Sequence, residues 1–285
     1  MSMFVDTHTH FYDEWLLPDA EAAIRRALDA GVGKMIQADI DSVERPRMWE
    51  TGLRHPGVLY QMLGLYPGSV TAENWRDELE EVHRIAAGDA RSVPGMTGNG
   101  PGMTKNVTPD LIGGLKPIAI GEIGLDYHEG KEYIKEQKEA LRIQFELAAK
   151  LDLPVNIHLR DAWQDFLTIL KDTRHLHLRG NLHCFSGSYE VYEEANRCGD
   201  WSVGIGGVVT FKNSNLPKTL ERIPLRHILL ETDAPYLAPA PYRGKRNESA
   251  YLPIIAEKVA QVKGLSVEEC AAITTKNAET LFSLK

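Results

Sequence analysis

Residues 154–173, PVNIHLRDAWQDFLTILKDT, join a short β-rich run to an amphipathic helical pattern. The run PVNIH (154–158) is short and largely apolar, as a buried strand is, whereas the apolar side chains of DAWQDFLTILKDT (161–173) recur at helical spacing. A strand followed by an amphipathic helix is the repeating unit of a parallel sheet with helical crossovers.

The same unit recurs along the whole chain. The strand-like runs are MFVD (3–6), GKMIQA (33–38), VLYQMLG (58–64), PIAIGE (117–122), PVNIH (154–158), GNLHC (180–184), WSVGIGG (201–207) and HILLETD (227–233). Helical patterns lie at 18–31, 71–88, 131–152, 161–173, 188–199, 249–264 and 266–285. Eight runs in 285 residues predict one α/β domain over residues 1–285, folded as a closed (β/α)₈ barrel rather than an open sheet. We expect the two last helices to pack on the barrel wall.

One stretch interrupts this alternation. Residues 88–116 are rich in glycine and proline and have no apolar period. A connection of this length is typical of a functional flap or a mobile insertion. We expect an insertion before strand four, on the face of the barrel opposite the site.

The composition excludes several classes of protein. The net charge is −8 and the pI is about 5.7, so a general nucleic-acid binder is not indicated, and a polyanionic substrate would need a local positive feature. The three cysteines show no CxxC pairing, which argues against a disulfide framework, and Cys184 is expected to be a buried thiol. No leader pattern or membrane-spanning window is present, so we expect a cytoplasmic protein with no membrane contact and no obligate protein partner.

Side chains that can bind a metal stand at the ends of five of the runs. They are His8 and His10, Glu122, His158, His183, and Asp233. Because the active sites of such barrels lie at the carboxyl ends of the strands, we expect these side chains to share one mouth. Two histidines one residue apart, as in VDTHTH (5–10), lie on the same face of a strand.

This ligand set indicates a catalytic site with two ions. Imidazole and carboxylate without cysteine exclude most structural zinc sites. Four histidines and two carboxylates are too many for one four-coordinate ion with an open position, but they suit two divalent ions that share a carboxylate. The predicted arrangement places one ion on His8, His10 and Asp233 and a second on His158 and His183, with Glu122 as the bridge.

Eight motifs in order also carry a family resemblance. They are VDTHTHF (5–11), GLYPGS (64–69), GEIGLDY (121–127), PVNIHLR (154–160), HCFSG (183–187), LLETDAPYLAP (229–239), YRGKRNE (242–248) and KNAETLF (276–282). From residue 3 to residue 282 the chain resembles the TatD-family metal-dependent deoxyribonucleases, a branch of the amidohydrolase superfamily. The resemblance implies a TIM barrel, divalent ions (Mg²⁺, Mn²⁺ or Zn²⁺) and hydrolysis of DNA phosphodiesters from the 3′ end, with RNA left open. The family's metal ligands fall on the same six residues.

Two departures from the family pattern stand out. Tyr66 and Gly68 occupy positions where members often have histidines, and Ser249 replaces a proline. The first departure is expected to change a substrate or proton-transfer contact rather than metal binding. The second is expected to be tolerated.

The remaining expectations concern catalysis and substrate binding. Asp233 would take a proton from water as general base, and Asp126 would hold the loop after strand four. Arg160 is either a phosphate contact or one half of a structural ion pair. Arg243, Lys245 and Arg246 would bind substrate phosphates beside the metal site, the alternative being a solvated basic loop.

Two alternative functions remain open from the sequence. One is another amidohydrolase-type reaction at a C–N or lactone bond, for which many such enzymes use a carbamylated lysine where this chain has Glu122. The other is a catalytically idle barrel that acts as a partner protein, which predicts eroded ligands, and all six ligand positions are intact.

Overall fold

The computed structural model describes residues 4–88 and 116–285. Within these ranges the strands are β1 (Phe4–Thr9), β2 (Val32–Gln37), β3 (Leu59–Gln61), β4 (Ile120–Asp126), β5 (Val155–Arg160), β6 (Arg179–Leu182), β7 (Asp200–Ile205) and β8 (Ile228–Leu230). The α-helices there are α1 (Ala20–Asp29), α2 (Arg45–Arg54), α3 (Trp75–Ala86), α4 (Ile134–Leu151), α5 (Trp163–Asp172), α6 (Tyr189–Asn196), α7 (Leu216–Arg222), α8 (Leu252–Lys263) and α9 (Val267–Phe282). Residues 89–115 lie outside the described ranges, so the position of the insertion stays a prediction.

All strand pairs are parallel and follow chain order. β1, β2 and β3 form one sheet, and β4 to β8 form a second. Parallel bridges join the sheets at both seams, Leu63 with Ile120 and Thr9 with Ala234. Each seam carries backbone hydrogen bonds, among them Gly121 N to Leu63 O (3.0 Å) and His10 N to Ala234 O (2.8 Å). The predicted (β/α)₈ barrel is thereby confirmed.

Element boundaries differ from the predicted runs in two respects. The fourth strand begins at Ile120, three residues after the start of its run, so Glu122 lies near the beginning of β4 rather than at its end. Pro117 at the start of the run has no N–H to donate to a sheet. Helices α2 and α7 were not expected, because each is short and carries few apolar residues in a helical period.

The seam between β1 and β8 is fixed by a buried carboxylate. Asp6 accepts hydrogen bonds from the backbone N of Thr232 (2.9 Å) and from the hydroxyl of Ser249 (2.6 Å). Every residue of β1 is buried, although four of the six are polar. Ser249, the departure from the family's proline, therefore supplies a hydrogen bond to the strand that carries His8.

The last two helices pack as predicted. α8 buries Leu252, Ile255 and Val259, and α9 packs against β1, β8 and α8. A capping box starts α9, in which Ser266 and Glu269 each accept a backbone N–H of the other. In the part of the chain that the structure describes, no helix combines the length and apolarity needed to span a membrane.

Candidate metal centre

The six predicted ligand residues converge at one place. His8 and His183 stack with ring centroids 3.5 Å apart, and Nε2 of His8 lies 3.1 Å from Nε2 of His10. His8, His10 and Asp233 bring one donor atom each within 4.8 Å of one another, and so do His8, Glu122 and His183. We call the set of His8, His10, Glu122, His158, His183 and Asp233 the candidate metal centre.

Glu122 lies between two groups of histidines, and each of its oxygens faces one group. Oε2 is 3.2 Å from Nε2 of His8 and 4.0 Å from Nε2 of His10. Oε1 is 2.9 Å from Nδ1 of His158 and 3.8 Å from Nε2 of His183. A carboxylate placed in this way can share its two oxygens between two cations.

Asp233 joins the centre from the end of β8. Its Oδ1 is 3.5 Å from His10 Nε2, 3.7 Å from His183 Nε2 and 3.8 Å from His8 Nε2. The backbone of Asp233 has φ = 58°, in the left-handed region that a non-glycine residue rarely adopts. Such conformations cluster at functional sites, where surrounding structure holds the residue in place.

Three of the histidines have an oxygen atom close to their outer nitrogen, which forms a hydrogen bond with that nitrogen in His10 and His158 and lies at ion-pair distance in His183. Nδ1 of His10 lies 3.0 Å from the Tyr12 hydroxyl, which itself donates to the Ala38 carbonyl and so is left to accept from His10. Nε2 of His158 lies 2.9 Å from Asp126 Oδ2.

Nδ1 of His183 lies 2.9 Å from Glu231 Oε1. With a cation bound, the outer nitrogen would keep its proton and the nitrogen that faces the centre would offer its lone pair. Carboxylates behind histidines in this way are characteristic of metal sites.

The charges of the centre also suit a cation. Burial lowers the pKa of His158, but hydrogen bonds to Asp126 and Glu122 outweigh burial and raise that pKa to about 9. Burial likewise lowers the pKa of His183, yet Glu231 and Asp233 raise it to about 10. The carboxylates therefore favour positive charge among the histidines, which a divalent cation can supply in place of protons.

Glu231 and Tyr12 contact the centre's histidines and were not predicted from the sequence, and Glu231 is the more buried of the two. It is fully buried, and besides His183 its Oε1 contacts the backbone N of Cys184 at 2.5 Å. A Cβ at position 204 would collide with Glu231 Oε2, so Gly204 in β7 makes room for this carboxylate. β8 ends at Leu230, so strand alternation does not relate Glu231 to Asp233, and no local pattern identified this carboxylate.

Asp126 has two roles rather than one. As predicted, it holds its loop, because Oδ1 accepts from the backbone N of His128 (2.8 Å) and Glu129 (2.7 Å). Its other oxygen holds His158, a contact that the sequence did not reveal.

Tyr66 and Gly68 form a matched pair beside the centre. The Tyr66 ring lies edge-on to His158, with centroids 4.9 Å apart. A Cβ at Gly68 would collide with this ring, so the small residue at 68 accommodates the large one at 66. The replacements at positions 66 and 68, which make up the first departure from the family pattern, are thus structurally coupled.

Cys184 also lies within 4.8 Å of donor atoms of His183 and Asp233. Burial raises the pKa of its thiol well above the usual value. A bound cation would itself lower the pKa of a thiol that it contacts, so this shift does not exclude Cys184 as a further donor. The residue is half-buried rather than fully buried as expected.

The four basic residues predicted to bind phosphate do not gather at one place, unlike the six residues of the candidate metal centre. Arg160 pairs with Glu129 on the surface (Nη1 to Oε1, 2.8 Å), which is the structural alternative considered above. In the basic segment (residues 243–246), the Arg243 guanidinium lies 4.5 Å from the centre of the Phe211 ring. Lys245 is exposed and has no side-chain hydrogen bond or ion pair to another described residue.

Arg246 is engaged by acidic neighbours. Its Nη2 lies 2.6 Å from both Asp19 Oδ2 and Glu248 Oε1, and its Nη1 donates to the Trp15 carbonyl at 3.0 Å. These contacts occupy three of the five guanidinium N–H donors and place two carboxylates beside the charge that a phosphate would need.

Comparisons with known proteins identify the family of this chain. The model of the TatD-related DNase family matches residues 5–100 and 102–283. Over 283 residues the chain is 35% identical to a Bacillus subtilis (strain 168) protein named "Uncharacterized metal-dependent hydrolase YabD", covering 99% of this chain and 100% of that protein. Over 272 residues it is 32% identical to a Pantoea vagans (strain C9-1) protein named "3'-5' ssDNA/RNA exonuclease TatD", covering 93% and 94%.

A solved structure shows the same fold. The crystal structure of YJJV, a TatD homologue from Escherichia coli K12, matches with a TM-score of 0.82 at 27% identity, covering 100% of this chain and 99% of the other. The family match along nearly the whole chain, the barrel and the cluster of histidines and carboxylates lead to the same conclusion: the chain belongs to the TatD-related DNase family of metal-dependent hydrolases.

Proposed function

We propose that the chain hydrolyses phosphodiester bonds of single-stranded DNA, and also of RNA, from the 3′ end with two divalent cations held at the candidate metal centre. The observation that carries this proposal is the position of Glu122, whose two oxygens face different histidine groups. We propose one cation on His8, His10 and Asp233 and another on His158 and His183, with Glu122 shared. Mg²⁺, Mn²⁺ and Zn²⁺ are the candidates.

The chain's own residues would orient the reactants and move the proton. A divalent cation at such a site supplies a Lewis acid that makes water more acidic and offsets charge on phosphoryl oxygens. Asp233 would accept the proton of the attacking water, since its side chain is 13% exposed whereas that of Glu122 is 4% exposed. Tyr12, Asp126 and Glu231 would keep three imidazoles turned toward the centre.

The choice of substrate rests on relatives and on local charge. A relative that is 32% identical is named as a 3'-5' exonuclease of single-stranded DNA and RNA. Lys245 and Arg243 place positive charge on the loop after β8, and Lys245 has no acidic partner in the described ranges. We propose these two residues as phosphate contacts and Arg246 as a residue that positions this loop.

Two alternative functions are less well supported, one a different reaction and the other a protein without catalytic activity. A carbamylated-lysine C–N hydrolase lacks its lysine, because Glu122 stands in that place. A catalytically idle barrel has no reason to retain six converging ligands together with the carboxylates behind His158 and His183.

The test uses one sequence as DNA and as RNA, each labelled at either end. The protein is stripped with a chelator and reloaded separately with Mg²⁺, Mn²⁺ or Zn²⁺. We expect 5′-labelled strands to shorten progressively with at least one metal, and stripped protein to be inactive. Activity in the presence of chelator, or hydrolysis of a lactone or amide but of neither nucleic acid, would overturn the proposal.

A further inference from the structure

We propose that Trp15 and Tyr236 form a stacking site for an unpaired nucleobase, beside the candidate metal centre. We call these two residues the aromatic pair. The inference rests on the proposed function and deepens it, since it states how the enzyme would hold the bases of a single strand as well as its phosphates.

The aromatic pair is exposed where most large apolar side chains are buried. Trp15 is 58% exposed and Tyr236 is 44% exposed. Among the described residues, the other exposed large hydrophobic side chains are the aliphatic Leu28, Val43, Leu237 and Ile273. Exposed aromatic faces that lie together provide the surface on which bases stack.

The pair is contiguous with the centre. The ring centroids of Trp15 and Tyr236 are 6.0 Å apart, with an interplanar angle of 49°. The Tyr236 ring is in turn 6.0 Å from the ring of His10. A base resting on either ring would therefore belong to a nucleotide close to the proposed scissile bond.

Both residues are held in place by charged groups. Oδ1 of Asp13 accepts from the backbone N of Trp15 (2.8 Å), and Oδ2 accepts from the Tyr236 hydroxyl (2.6 Å). Arg246 donates to the Trp15 carbonyl and pairs with Asp19, which ties the loop after β1 to the loop after β8. Ordering of the rings before a ligand arrives lowers the entropy lost on binding.

Stacking also suits the charge of this chain. The net charge is −8, so long-range attraction of a polyanion is weak. An aromatic ring can stack on the face of a base without a positive charge. Stacking of this kind does not depend on the sequence, because every base has a π-face. The contribution of the pair should thus depend less on salt than that of a phosphate contact.

The first experiment measures the binding of single-stranded DNA in the absence of catalysis. Of the five tryptophans, Trp49, Trp75 and Trp201 are buried and Trp163 is half-buried, so Trp15 is the exposed one. We titrate chelator-treated protein with oligodeoxythymidylate and with an abasic strand of equal length while following tryptophan fluorescence. We expect the oligodeoxythymidylate to quench tryptophan fluorescence and the abasic strand to leave it unchanged. In Trp15→Phe the quenching should disappear, since the phenyl ring does not contribute to the tryptophan emission.

The second experiment measures the KM for hydrolysis of single-stranded DNA in variants of the aromatic pair. Trp15→Ala and Tyr236→Ala should each raise KM for single-stranded DNA about tenfold, since a stacked base contributes roughly that factor in affinity. The loss should be confined to strands that carry bases and should persist at high salt. Tyr236→Phe retains the ring but not the hydrogen bond to Asp13, so it should lose much less than Tyr236→Ala. Leu28→Ala removes an exposed apolar side chain on α1 and is the matched control.

The outcomes separate this inference from the proposed function. Wild-type protein that hydrolyses no phosphodiester with any metal refutes the proposed function, while the fluorescence titration still reports on stacking. Quenching by the abasic strand as well, or unchanged KM in both alanine variants with unaltered melting temperature, would overturn the stacking site although hydrolysis remained.

Discussion

The candidate metal centre and the basic segment (residues 243–246) both follow strand ends, but they are built in opposite ways. In the centre, six side chains that lie in five strands or within three residues of their ends turn toward one another in a largely buried space. In the basic segment, Arg243 lies over Phe211, Arg246 binds Asp19 and Glu248, and Lys245 faces solvent.

The difference has a physical cause. Alternation along a strand fixes which side of the barrel a side chain faces, so the strands themselves direct His8, Glu122 and His158. His10, His183 and Asp233 follow a strand by one to three residues, which keeps them at the same face of the barrel. A loop imposes no such direction, and long cationic side chains turn to whichever acceptor lies nearest. Charge density in a loop is therefore weaker evidence for a site than convergence at strand ends.

The largest effect should follow from Glu122→Gln, which removes the charge shared by the two histidine groups while keeping the shape. Loss of residues that only orient a metal ligand costs 10–100-fold in metal affinity, so we expect at least about 100-fold here, with turnover nearly abolished. Metal content and calorimetric affinity are the measurements. Glu129→Gln, an exposed carboxylate on the next loop, serves as control, and full metal occupancy with full activity would contradict the bridging role.

Asp233→Asn should come next. A general base contributes about 10²–10⁴-fold, so turnover should fall at least within that range while affinity for single-stranded DNA is retained. Single-turnover rates and binding to uncleavable DNA separate these effects. A decrease of less than about tenfold would show that the base lies elsewhere.

Glu231→Gln tests whether the carboxylate beside the outer nitrogen of His183 raises the metal affinity of the centre. We expect metal affinity or activity to fall about 10–100-fold, because Gln holds His183 less firmly in the required tautomer. Gly204→Ala should act in the same direction by displacing the Glu231 carboxylate. Glu190→Gln, which affects only an exposed pair with Arg222, is the control. Wild-type metal affinity in both variants would limit Glu231 to a packing role.

The smallest effects should come from the basic segment. Lys245→Ala should flatten the dependence of DNA binding on salt by about one unit of slope, as loss of one phosphate contact does. Arg246→Ala should leave that slope nearly unchanged and instead lower the melting temperature, since its partners are Asp19 and Glu248. Titrations at several salt concentrations, with metal content as control, measure both. If both variants reduced the salt dependence of DNA binding equally, Lys245 could not be called a phosphate contact in contrast to Arg246.

The sequence by itself predicted the barrel, which the structure confirms, and the six side chains that the structure brings together as the candidate metal centre. Short apolar runs alternating with helices predicted eight strands, and strand periodicity placed His8 and His10 on one face. Both signals are local, since they depend on neighbours within a few residues. The predicted start of β4 was three residues early. Ile118 and Ala119 do share backbone hydrogen bonds with Gln61 and Leu63, but the regular strand begins only at Ile120.

Only the tertiary structure decided what surrounds those ligands. Glu231 behind His183, Ser249 on Asp6, and Tyr236 beside Trp15 bring together residues far apart in the chain. No local pattern encodes such contacts, because they depend on how the strands close into a ring and on where each loop returns. The same closure decides that Arg246 binds Asp19, 227 residues away, and that Lys245 stays in solvent.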